Sequence, residues 1–156
     1  LKHMPVLIRA AAQSLPWGTM GMTNFYRSDI TPTSEVKLLA DQLYATAELS
    51  PADIDVAILY DHFGPRVLPG LEAFGFCKRG EAKDFVRDGG IEIGGRLPVN
   101  THGGQVGEAY IHGMNGIAEA VRQIRGTAVN QVVDAKHVLV TGGSANPTSG
   151  VILGCA

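Results

Sequence analysis

Short apolar runs alternate with amphipathic stretches along most of this chain. Val6 to Ala12 is an apolar run with β-formers at its start and predicts a strand. Val36, Leu39, Leu43 and Ala47 recur at helical spacing, with Lys37, Asp41 and Glu48 off the stripe, so Ser34 to Leu49 predicts an amphipathic helix. Ser50-Pro51-Ala52-Asp53 is a helix-start signature, with a capping Ser, a Pro suited to the first turn and an Asp at the positive end. Its turn must be short, because Val56 to Tyr60 follows as a near-continuous apolar run, the pattern of a strand buried on both faces. Pro65 to Phe76 and Glu81 to Arg87 predict helices, Leu97 to Val99 a short strand, and Gly113 to Arg125 a helix with Ile117, Val121 and Ile124 facing inward. Val138 to Thr141 and Gly150 to Leu153 complete five predicted strands. Strands interleaved with helices imply an α/β domain, its mostly parallel or mixed sheet covered on both faces.

Gln13 to Thr33 breaks the pattern. Trp17, Met20, Met22, Phe25 and Tyr26 lie there among Gly, Pro, Ser and Thr without a period. Such a long loop is either a lid or partner surface, or a segment folded back on its own core.

Composition narrows the function classes. A content of 45% hydrophobic and 18% charged residues excludes a disordered tail. A net charge of -2 without a Lys/Arg block gives no footprint for nucleic acid. No apolar stretch is long enough to span a bilayer, and Arg9 interrupts the first apolar run too early for a signal peptide. The two cysteines, Cys77 and Cys155, form no CxxC pair and no metal-like spacing, which points to a reducing cytoplasm and no metal. A chain of 156 residues makes one domain with a real core, and its start at Leu1 suggests a fragment or a separately encoded half.

Three polar clusters can carry chemistry. Asn100 to Gly113 lies between a short strand and an amphipathic helix, and its Gly103-Gly104 pair allows close backbone approach to a ligand. Tyr60-Asp61-His62-Phe63 ends the most buried strand, where ligands gather in open α/β sheets. Gly142-Gly143 follows the next strand. No GxGxxG leads from strand to helix and no phosphate-loop lysine is present, so neither device for nucleotide binding is supported. Taken singly, each cluster also reads as an ordinary turn or a core-edge tyrosine.

In this order the clusters resemble the C-terminal half of thiolases, from about Val6 to Leu153. Thiolases carry Asn-Glu-Ala-Phe, then Gly-Gly followed by Gly-His-Pro before a helix, then a late Cys-x-Gly. Phe74-Gly75-Phe76-Cys77, Val99 to Gly104 and the Gly113 to Gly126 helix are most similar to the sterol-carrier and lipid-transfer type. The departures are specific. Six residues after Gly104, the thiolase His position holds Tyr110; the Asn position holds Tyr60; and Val140-Thr141-Gly142-Gly143 lacks the Cys. In these respects the chain resembles the thiolase-like aldolases of steroid side-chain degradation.

That resemblance implies a thiolase-fold half with a mixed five-stranded sheet, and retro-aldol cleavage of a β-hydroxyacyl-CoA without a cofactor. It implies Tyr60 and Tyr110 as catalytic residues, tuned by His112 or His62. Gly142 and Gly143 would supply an oxyanion site, with Asn100 and His102 on the substrate side and His102 ordering its loop. It further implies an N-terminal thiolase half, a homodimer, and an OB-fold partner of the DUF35 class attached to a hydratase. A thiolase-type acyltransferase and a non-catalytic acyl-CoA-binding scaffold are the competing readings.

Overall fold

A computed structural model describes residues 3–17, 29, 31, 33–109, 111–143 and 148–155. Most of the 13–33 segment expected as a loop or lid lies outside the described residues. The elements are strand β1 (Val6–Ser14), helix α1 (Thr33–Ala47), strand β2 (Val56–Ile58), helices α2 (Val67–Ala73), α3 (Ala82–Arg87), α4 (Gly104–Gly107) and α5 (Met114–Arg125), and strands β3 (His137–Thr141) and β4 (Thr148–Cys155). Single 3₁₀ turns span Pro51–Asp53 and Gly64–Arg66. The first is the short turn expected from Ser50-Pro51-Ala52-Asp53: the Asp53 carboxylate accepts both the Ser50 N–H and its hydroxyl, at 2.8 and 2.6 Å.

The sheet has four strands among the described residues, in the order β1-β4-β3-β2. β4 is antiparallel to both β1 and β3, and β2 is parallel to β3, so the sheet is mixed as expected. The fifth predicted strand, Leu97 to Val99, is a correction. It makes one parallel bridge, Val99 to Ala57, and goes no further. The Pro98 carbonyl accepts the Ala57 N–H, but Pro98 has no N–H to donate. Two residues on, Asn100 turns into the left-handed region at φ 52° and takes the chain off the sheet edge.

Side chains alternate across the sheet, and each side meets a different helical layer. Ala57, Leu59, Leu139 and Ile152 pack with Val36, Leu39, Leu43, Leu71 and Phe74 in one core. Val56, Ile58, Val138, Val140 and Leu153 pack with Ala120 and Ile124 in a second core, and Ile117 and Val121 sit at its edge. Helix α5 comes close because residue 116 is Gly: a Cβ there would lie 2.8 Å from Ile58 Cγ2.

Helix α5 also buries a stripe the apolar pattern does not reveal. Asn115, Glu119 and Gln123 are one turn apart and 6%, 3% and 1% exposed. Gln123 Nε2 donates one hydrogen to the Asn130 carbonyl at 2.8 Å and shares the other between Thr101 Oγ1 and Glu119 Oε1 at 3.0 and 2.9 Å, while its Oε1 accepts the Val132 N–H at 2.9 Å. Thr101 Oγ1 donates to Glu119 Oε1 at 2.6 Å. This side chain fastens α5 to the loops on either side of it. Gln123→Leu keeps the volume but leaves several buried groups unpaired, and is predicted to destabilise the protein by about 2–3 kcal/mol. A denaturant titration checks this; an unchanged or higher midpoint would show the polar stripe to be dispensable.

Candidate active site

The polar clusters converge where the parallel strands β2 and β3 end. Past Ile58 the strand pairing stops, and side chains take over the backbone hydrogen bonds. Asn100 Oδ1 accepts the Leu59 N–H at 2.8 Å, and Thr141 Oγ1 accepts the Tyr60 N–H at 2.8 Å. Tyr60, which is half-buried, is therefore hung between the Asn100 loop and the end of β3.

The next residue, Asp61, is buried, and its Oδ1 accepts the Gln105 N–H at 2.6 Å. This contact explains why Gly104 is Gly. Its φ is +70°, and a Cβ would lie 2.0 Å from Asp61 Oδ2. The Gly-Gly turn is thus cut to fit a carboxylate within this chain.

His62 sets the other flank of Tyr60. The ring centroids are 5.0 Å apart and tilted by 40°, and the Phe63 ring lies 4.7 Å beyond His62. His62 Nδ1 is buried without a hydrogen-bond partner, and burial pushes the imidazole pKa below its usual value, partly offset by a hydrogen bond with the Tyr60 backbone. Tyr44 makes a useful contrast. Its hydroxyl donates to the Phe74 carbonyl at 3.0 Å, and burial raises its pKa far above the usual value, so this phenol is a fixed part of the core.

A cleft of about 270 Å³ opens beside this cluster, lined in part by His112, Met114, Thr141, Gly142 and Ser149. His112 has a left-handed φ of 48° and lies exposed on the cleft wall. The Gly142 N–H is donated to the Ser149 carbonyl at 2.8 Å, and the Thr148 hydroxyl donates to the Gly143 carbonyl at 2.8 Å. Thr141, which orients Tyr60, is itself part of this wall. Tyr60, Asn100, His112, Gly142 and Gly143 are therefore gathered at one end of the sheet. Tyr110 lies outside the described residues.

His102 stands apart from that cleft. Its side chain is 2% exposed, neither ring nitrogen has a hydrogen-bond partner, and Nε2 lies 4.0 Å from Glu108 Oε2. It lines a different hollow of about 490 Å³ with Thr101, Glu119, Arg122 and Asn130. Among the described residues no group of three His, Cys, Asp or Glu converges as a metal site.

Sequence reasoning gave no role to Asp61, Gln105 and Glu108, which lie in its polar clusters, and passed over Asn115 and Thr141. Only Asp61 carried a signal: an acid directly after a strand-end Tyr, in a chain whose Gly-Gly turn needs a partner.

Residues 19–154 match the family described as thiolase C-terminal domain-like. The chain is 64% identical over 99% of its length to a steroid side-chain-cleaving aldolase of Thermomonospora curvata. It is 58% identical, again over 99%, to a 17-hydroxy-3-oxo-4-pregnene-20-carboxyl-CoA lyase of Mycobacterium tuberculosis. It spans 39% and 40% of the lengths of those relatives. Among solved structures, the Ltp2-ChsH2(DUF35) aldolase superposes with a TM-score of 0.94 at 63% identity, covering 98% of this chain and 40% of that one. A monomeric SCP2-thiolase like protein from Mycobacterium smegmatis, 19% identical, shares the fold at a TM-score of 0.66 over 96% of this chain and 29% of that one. The four-stranded mixed sheet between two helical layers, the Gly-Gly turn before α5 and the match over most of the chain lead to one assignment: the chain belongs to the thiolase C-terminal domain-like family.

Proposed function

We propose that the protein to which this chain belongs cleaves a β-hydroxyacyl-CoA by a retro-aldol reaction, with Tyr60 and Tyr110 as its acid–base pair. One observation carries the reading. High identity to an aldolase and a carboxyl-CoA lyase runs across the whole chain, in which the thiolase Asn and His positions hold tyrosines and Val140 to Gly143 contains no Cys.

The chemistry needs no nucleophile. A base takes the proton of the β-hydroxyl, the Cα–Cβ bond breaks, and its electron pair moves into the thioester as an enolate. The enolate takes a proton at Cα, leaving a shorter acyl-CoA and a ketone or aldehyde. One phenol serves as base in its ionised form and the other donates to the reacting oxygen. A free phenol has a pKa of about 10, so the site must favour the ionised form. His62, whose ring lies 5.0 Å from the Tyr60 ring, is the neighbour placed to tune this phenol. With the Gly142 N–H committed to Ser149, the Gly143 N–H is the candidate donor of this turn to an enolate oxygen. His112 faces the same cleft and orients substrate there.

The rest of the assembly follows from the relatives. An N-terminal thiolase half and a homodimer are part of this proposal, in which the chain spans 39% and 40% of the lengths of two relatives. The solved complex supports a DUF35 partner, and the relatives' names support a steroid side chain as the acyl group. Among the described residues no helix is long and apolar enough to cross a membrane, and both cysteines are free thiols, in keeping with a cytoplasmic setting.

The test uses the complete protein with its DUF35-type partner and a β-hydroxyacyl-CoA, without free CoA. The expected products are a shorter acyl-CoA and a ketone or aldehyde. Thiolysis of a 3-ketoacyl-CoA on adding CoA, without that cleavage, would replace this reading with an acyltransferase. Turnover of neither substrate would favour a binding subunit.

Tyr60→Phe and Tyr110→Phe are each predicted to lower kcat by about 10² or more while the proteins stay folded. Steady-state kinetics with circular dichroism measure both effects. Near-parental kcat in both variants would remove the tyrosines from the mechanism.

A further inference from the structure

A chain of polar groups, buried except at Glu108, runs beside the site and is not used by the chemistry above. It starts at Asp61, one residue after Tyr60, whose Oδ1 accepts the Gln105 N–H at 2.6 Å. The Gln105 side chain continues it, with Nε2 donating to Asn115 Oδ1 at 2.9 Å. Asn115 Nδ2 then donates to Glu108 Oε2 at 3.2 Å, and Glu108 stands two residues before Tyr110 in the chain. His102 Nε2 closes the far end, 4.0 Å from the same Glu108 oxygen.

The polarity of this chain is forced from its end. A carboxylate only accepts, so Glu108 requires the NH₂ face of Asn115. That turns Asn115 Oδ1 towards Gln105, which must then present its own NH₂ group. Gln105 Oε1 is left buried with no partner. The amide orientations also leave no freedom to flip. The relay therefore has a single arrangement, which ties the end of β2 to α5 and to the turn before Tyr110.

We propose that Gln105, Asn115 and Glu108 are positioning residues that hold the Tyr60 strand end, α4 and the start of α5 in one geometry. This rests on the two-tyrosine reading. A displacement of about 1 Å between catalytic groups costs about 10²-fold in rate, so the relay acts on kcat more than on substrate binding.

The test is a polarity swap in the complete protein, assayed with its β-hydroxyacyl-CoA. Asn115→Asp keeps an acceptor for Gln105 but sets a second carboxylate against Glu108. The expected result is a loss of kcat of about 30-fold or more with KM within about threefold. In the double variant Asn115→Asp/Glu108→Gln, residue 108 donates and residue 115 accepts, so kcat is expected to return to within about threefold of the parent.

Parental kcat in Asn115→Asp, or no recovery in the double variant, overturns the relay. If Asn115→Asp does not fold, Glu108→Ala gives the same reading from the more exposed end: lost kcat at unchanged thermal stability supports the relay, and unchanged kcat overturns it. Tyr110→Phe is run alongside. If it keeps parental kcat, the two-tyrosine reading fails by itself. If it is inactive while Asn115→Asp is parental, only the relay fails.

Discussion

The Asp61 carboxylate is buried where β2 runs out, and it accepts the Gln105 N–H. A buried charge must be paired or hydrogen-bonded, and much of the site follows from that demand. The turn bringing Gln105 to Asp61 has to pass within contact of the carboxylate, so it must be Gly at 104. The same turn delivers α4 and then α5, whose packing on Val56, Ile58, Val138 and Val140 fixes the second core. The carboxylate thus joins the strand that carries Tyr60 to the segment that carries Tyr110 and His112.

The layers were legible in the sequence because they are written in periodicity. Val56 to Tyr60 reads as two-sided, and it is: Ala57 and Leu59 enter one core, Val56 and Ile58 the other. The extra strand at Leu97 to Val99 was a false expectation because apolar content says nothing of hydrogen bonding, and Pro98 with a left-handed Asn100 limits the pairing to one bridge. The buried stripe Asn115, Glu119 and Gln123 was invisible for the opposite reason. Polar residues at helical spacing look like a solvent face, and only their partners in distant loops reveal that they are inside. Likeness to thiolase motifs singled out Tyr60, Asn100, His112 and the Gly142 turn, which lie at one end of the sheet, whereas His102 lines a separate hollow. The groups that orient Tyr60 were missed because each acts across a gap of 40 or more residues: |i−j| is 81 for Thr141 with Tyr60 and 44 for Gln105 with Asp61.

The site keeps the thiolase framework and changes what it holds. A thiolase asks its C-terminal half for acid–base groups that serve a thiol. Here the matching positions are phenols, and the late turn offers backbone rather than sulfur. In the proposed reaction a proton leaves an oxygen and charge settles on a thioester, with no acyl group passing to the protein.

That last point is open to a direct measurement. The intact mass of the complete protein is followed by mass spectrometry during turnover of a β-hydroxyacyl-CoA without free CoA. The account predicts that the protein mass stays unmodified while the shorter acyl-CoA accumulates. An acyl adduct that forms and decays with product release would contradict it and return the protein to covalent, thiolase-type chemistry.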